Sequence, residues 1–236
     1  WTDYGIRGSY RPQGLVVSLA QALSPNLPGG EIAMIRDSSL RTIIHEHQHM
    51  LQDTTTLVGI SGFVTLWDAI LSIASVNSST AKITLPIRVN SLPGTRQTRF
   101  WRDWSGAIVG DGKSLGGLDG DRHPEIVGIE VDSNRFVVFS AGSRPVPHRI
   151  PQVVLRLRDG ATFEFGARAV RESLADFLDE ALVAQEPSAG PIGHPALPYK
   201  AVQILSGFLS KDRNFSGPKR DHLIVLADQA LMTLAP

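Results

Sequence analysis

Apolar residues at Leu40, Ile43, Ile44, Met50, Leu51, Thr54 and Val58 fall within one stripe at about 100° per residue, which predicts a helix over about 38–56. Asp37 or Ser38 can cap its start, and Gly59 lies near its end. A helix of this kind has one face for a core and one face free for chemistry. His45 and His49 lie opposite the apolar stripe, four residues and one turn apart, so both imidazoles can reach a single tetrahedral ion. Glu46 projects beside that face, where a carboxylate can take a proton from a water in the fourth position of such an ion. His47 falls inside the apolar stripe and is expected to pack in the core as a hydrogen-bonded histidine.

Composition narrows the chemistry further. The 236 residues include no cysteine, which excludes disulfides, thiolate metal sites and a cysteine nucleophile, so any metal must use His and carboxylate ligands. Lys plus Arg and Asp plus Glu both number 23, and this neutral balance points to neither nucleic acid nor an anionic membrane as a partner. The longest apolar region, 57–74, is interrupted by Gly59, Ser61, Gly62, Thr65 and Asp68, so no membrane span is expected. We expect a soluble, cytoplasmic protein; the chain begins with Trp1 rather than Met, as in a trimmed or processed product or one piece of a longer chain.

At 42% hydrophobic residues, positions 1–236 are expected to form a single α+β domain. Short β-prone runs at 15–19 and 31–35 flank a turn-rich segment and lead into the histidine helix. A second, more apolar helix is predicted over about 62–74. Residues 82–108 read as extended and irregular, and 109–124 as a loop rich in glycine and aspartate. Two hairpins follow, 126–140 turning near Ser133-Asn134 and 153–165 turning at Asp159-Gly160. The region 82–165 thus reads as an inserted loop and β-hairpin region. Helices are expected at 167–183, 199–209 and 222–234, with a Pro/Gly-rich linker at 185–198.

The string His45-Glu46-His47-Gln48-His49, preceded by uncharged Thr42-Ile43-Ile44 and followed by Met50-Leu51, resembles the HExxH motif of the zincin metallopeptidases over about a dozen residues. The resemblance implies a zincin-like core, Zn²⁺ as cofactor, a protein or peptide substrate and Glu46 as general base. In the gluzincin branch the third ligand is a glutamate on a later helix, often with an aspartate four residues on, and Glu172 and Asp176 are similar to that arrangement. Asp68 is the competing ligand, the one charged residue between Thr54 and Thr80 on an otherwise apolar helix and 19 positions after His49. The separation from His49 to Glu172 is long for that branch. For the oxyanion, Tyr199 is the first choice, ahead of His194, His148 and the Arg168/Arg171 pair.

Other readings fit less of the pattern. A di-iron carboxylate site needs a second Glu-x-x-His, which the chain lacks, and a cupin-type iron site belongs on strands. Gly110-Asp111-Gly112-Lys113-Ser114 lacks the spacing of a phosphate-binding loop. A non-catalytic interaction or regulatory module on a degenerate zincin-like fold is the alternative function.

Overall fold

Two short strands, β1 (Gly8–Arg11) and β2 (Val16–Leu19), pair antiparallel and pack against helix α1 (Asp37–Thr55). Helix α2 (Leu57–Asn77) follows after a single-residue joint at Thr56. The computed structural model describes residues 8–11, 16–19, 37–77, 100–101, 103–110, 124–133, 136–141, 144–183, 195–211 and 219–233. Thr56 makes the joint possible: its buried hydroxyl donates to the Gln52 carbonyl at the end of α1 and accepts the Gly59 N–H at the start of α2. One side chain thus caps the start of α2 and adds a second hydrogen bond to a carbonyl that also accepts the Thr56 N–H at 3.2 Å.

A π-helical turn at Ser105–Val109 precedes five strands, β3 (Ile126–Asp132), β4 (Phe136–Ala141), β5 (Arg144–Arg149), β6 (Gln152–Leu157) and β7 (Thr162–Phe165). Helix α3 (Ala167–Val183) comes next, then a single turn at Ala196–Tyr199, α4 (Ala201–Lys211) and α5 (Arg220–Leu231). The mixture of helices with a small antiparallel sheet of order β3-β6-β7 is an α+β arrangement.

Helix α3 is the hub, buried on nearly all sides and touching α1, α4, α5, β7 and the π-helical turn. Small residues let neighbours approach it: Ala167, Ala169, Ser173 and Ala175 are at most 1% exposed. Two apolar clusters flank it. Val170 and Leu174 join Val58, Trp104, Ile108 and Leu231 on one side, while Ala169 meets Ile126, Leu155, Phe163 and Leu197 on the other. Fully burying a side chain such as Phe163 contributes about 2–3 kcal/mol.

Several expectations hold and several change. The hairpin at Asp159-Gly160 forms as read, with Gly160 at φ 86° and the Asp159 carboxylate accepting the Ala161 N–H. The expected 126–140 hairpin does not form: β3 pairs antiparallel with β6, and β4 pairs with β5 instead. Pairing β3 on β6 makes β6 the central strand, which buries Leu155 and Leu157. Pro145 and Pro147 lack N–H donors, which suits β5 to a separate two-stranded ribbon with β4. Strand β2 matches the run at 15–19, but its partner is β1, and the run at 31–35 lies outside the described residues. Of the segment 82–108, residues 82–99 and 102 are outside the described set, and 103–108 is helical rather than irregular.

Helix α1 departs most from expectation. Among its described side chains the buried ones are Thr42, His45, His49, Gln52 and Asp53, the polar face, whereas Leu51 is 37% exposed and Ile43, Ile44 and Met50 are half-buried. His47 is correspondingly exposed, not packed in the core. The polar face turns inward because α3 meets it with charged partners, described below. Helix α2 shows a related pattern, with Leu57, Ile60, Val64, Trp67 and Leu71 exposed along one stripe. By length and composition its window Leu57–Ala74, of mean hydropathy 1.8 and 28% buried, is sufficient to cross a bilayer, because Gly, Ser and Thr interrupt it only weakly.

Candidate metal centre

Helical spacing sets His45 above His49 on α1, their rings edge-on with centroids 4.8 Å apart. Across the α1–α3 contact, Glu172 completes a triangle. His45 Nε2, His49 Nε2 and Glu172 Oε2 lie 3.2 Å from one another on all three sides. In a tetrahedral zinc site with ligands at about 2.0–2.1 Å, ligand atoms stand about 3.3–3.4 Å apart. The observed triangle is close to that figure. The donor set, two imidazoles and one carboxylate that are buried or nearly so, is one a zinc ion accepts, and it leaves a fourth position open. Among the described residues this is the one group of His and carboxylate side chains arranged to hold a metal.

The local electrostatics fit concentrated negative charge beside the histidines. Burial alone would lower the His45 pKa, but the hydrogen-bonded Glu172 carboxylate and the charges of Glu46 and Asp176 raise it above its ordinary value. Burial pushes Glu172 up, yet the facing His49 and His45 hold it well below the usual carboxylate range. Asp176, one turn beyond Glu172, is pushed up to about 6 by burial and by Glu180, against the opposing charges of Lys200 and His45. Its charge is the smallest of those that raise the His45 pKa.

Tyr199 lies beside the same group, its ring 5.5 Å from that of His45. Burial, then the charges of Glu172 and Glu46, raise its pKa, so the phenol keeps its proton. Its placement depends on Ser173, adjacent to Glu172 in sequence. The Ser173 hydroxyl donates to the Pro198 carbonyl at 3.1 Å and accepts the Val202 N–H at 3.2 Å, fastening the segment around Tyr199 to α3.

The structure therefore brings together His45, His49, Glu172 and Tyr199, with Glu46 half-buried on the adjoining side of α1. Asp68 does not join them; it is exposed on α2, on the outward apolar stripe. Arg168 acts electrostatically on Tyr199, whereas Arg171 turns to α1. His194 lies outside the described residues, and the described part of His148 is its backbone in β5. Sequence reading missed Gln52 and Asp53, which share the buried face of α1 with the histidines and contact Arg171. Their signal was present: they continue the helical spacing of His45 and His49 by one more turn. Comparison with protein-family models, with curated proteins and with solved structures gives no match to this chain.

Proposed function

We propose that the chain is a zinc-dependent peptidase, zincin-like in its site, with His45, His49 and Glu172 as the protein ligands. The observation that carries this reading is the equilateral 3.2 Å triangle of two imidazole nitrogens and a carboxylate oxygen. Bound there, zinc supplies a Lewis acid for a carbonyl and lowers the pKa of a water toward about 7. Glu46, beside the ligands on α1, takes the proton from the attacking water and passes it to the leaving amine. Tyr199 stays protonated at neutral pH, so it donates a hydrogen bond to the developing oxyanion throughout the pH range of the reaction. The substrate is a peptide or protein, whose amide carbonyl both groups address.

Metal analysis joined to hydrolysis tests this. Protein prepared without chelator is expected to hold one zinc per chain, and Glu46→Gln to keep the zinc while losing hydrolysis of a mixed peptide substrate. Glu172→Gln is expected to lose zinc and Asp68→Asn to keep it. A wild-type chain that takes up no zinc overturns the metal site, and hydrolysis unchanged in Glu46→Gln overturns its role as base.

A further inference from the structure

We infer that Gln52 is a positioning residue that fixes the tautomer of His49, and that Arg171 fixes the orientation of Gln52. His49 Nδ1 lies 3.0 Å from Gln52 Oε1, both groups being buried. An amide can be turned over, so this contact alone does not say which partner donates. Arg171 decides the matter. The Gln52 Nε2 amide donates to the Arg171 carbonyl at 3.2 Å, and Arg171 Nε donates to Gln52 Oε1 at 3.3 Å. Turning the amide over would set an NH₂ group against the guanidinium and an oxygen against a carbonyl oxygen. The oxygen therefore faces His49, and Nδ1 must carry the proton. The nitrogen left to face His45 Nε2 and Glu172 Oε2 is then Nε2.

Arg171 is itself held. Its guanidinium pairs with the buried Asp53 carboxylate at 2.8 Å and reaches the His49 carbonyl at 3.4 Å. Arg171 immediately precedes Glu172. One clamp thus ties a ligand on α1 to the backbone beside the ligand on α3. It keeps Nδ1 engaged with Gln52, so that Nε2 is the His49 nitrogen available to a metal. As a role in metal binding this rests on the zinc reading above, but the tautomer itself does not.

Two measurements separate these. In metal-free wild-type protein labelled with ¹⁵N-histidine, long-range ¹H–¹⁵N correlations are expected to show His49 as the Nδ1–H tautomer. A His49 found as Nε2–H overturns the inference whether or not the protein binds zinc. Zinc affinity, measured by competition with a chromophoric chelator, is expected to fall about 10- to 100-fold in Gln52→Met, the range for lost partners of metal-bound histidines. Gln52→Glu keeps an acceptor for both His49 and Arg171 and loses only the donor to the Arg171 carbonyl, so its affinity is expected to lie clearly above that of Gln52→Met. A general loss of folding would lower both variants alike, so equal affinity losses in Gln52→Met and Gln52→Glu, or no loss in Gln52→Met, overturn it as well.

Discussion

Gly59→Ala sets local propensity against packing at the joint that carries the clamp. On propensity alone, Ala in place of Gly inside a helix stabilises by up to about 1 kcal/mol. Here a Cβ at position 59 would stand 2.5 Å from the Asp53 Cα and 2.8 Å from the Gln52 carbonyl carbon, and closer still to the Gln52 oxygen. Ordinary carbon contacts begin near about 3.5 Å, so α2 has to withdraw from α1 by about 1 Å. These are backbone atoms, which cannot swing aside as a side chain would. Withdrawal also stretches the Gly59 N–H to Thr56 hydroxyl bond, now 3.0 Å, and the Thr56 hydroxyl bond to the Gln52 carbonyl. Overpacking of this kind costs about 1–3 kcal/mol and a weakened hydrogen bond about 1 kcal/mol, which together outweigh the propensity gain and leave a net loss of about 2 kcal/mol. Because the new Cβ presses on the backbone of Gln52 and Asp53, which hold the clamp, zinc affinity is expected to fall about tenfold as well. Gly207→Ala is the control: its Cβ would meet nothing within 4 Å on an exposed face of α4, so propensity acts alone and stabilises. Urea unfolding of both variants reads the two signs directly. Gly59→Ala as stable as wild type, or more so, refutes the packing argument.

Tyr199→Phe removes the hydroxyl while leaving the ring beside His45, so kcat is expected to drop about a hundredfold with KM and zinc content little changed; steady-state kinetics with metal analysis reads all three. Asp176 tests the electrostatics through pH. Its folded-state pKa of about 6 lies above the ordinary 3.8, so the native state disfavours the ionised form, and stability is lost as pH rises from about 4 through about 6. The shift corresponds to about 3 kcal/mol. In urea unfolding at a series of pH values, Asp176→Asn is expected to flatten that slope, and a slope identical to wild type would assign it to other groups.

How much of this was readable in the sequence depends on whether the signal was local. Helix 167–183 and the Asp159-Gly160 hairpin were legible because periodicity and turn chemistry both act over a few residues. The His45/His49 pair was legible for the same reason, since spacing along one helix fixes which side chains share a face. Glu172 could be proposed from its own helix, but choosing it over Asp68 required knowing which helix packs on α1, a contact spanning more than 100 positions. The pairing of β3 with β6 was hidden likewise, because β-partners are chosen by which strand must be central, although Pro145 and Pro147 already marked β5 as unsuited to a sheet interior. The misplacement of His47 followed from assuming that an apolar stripe always faces inward.

That assumption fails on α1 for a physical reason. Among the described residues, neither apolar cluster contains a side chain from α1; both are built from α3, the sheet and the other helices. Ile43, Ile44 and Met50 on the apolar face of α1 are half-buried outside both clusters. What holds α1 to α3 is a polar seam: the Arg171–Asp53 ion pair, the Gln52 clamp and the His45–His49–Glu172 triangle. Burying such a seam is costly unless each group is paired, and breaking one partner leaves a charge stranded. Every element of the seam is therefore interdependent, and the triangle is the element whose three acceptor-rich atoms gain most from a cation between them. Zinc at the triangle would then act on structure and chemistry together, joining the helix that carries Glu46 to the helix that carries the third ligand. Helix α1 meets α3 through this polar seam, while both apolar clusters among the described residues are built from other elements.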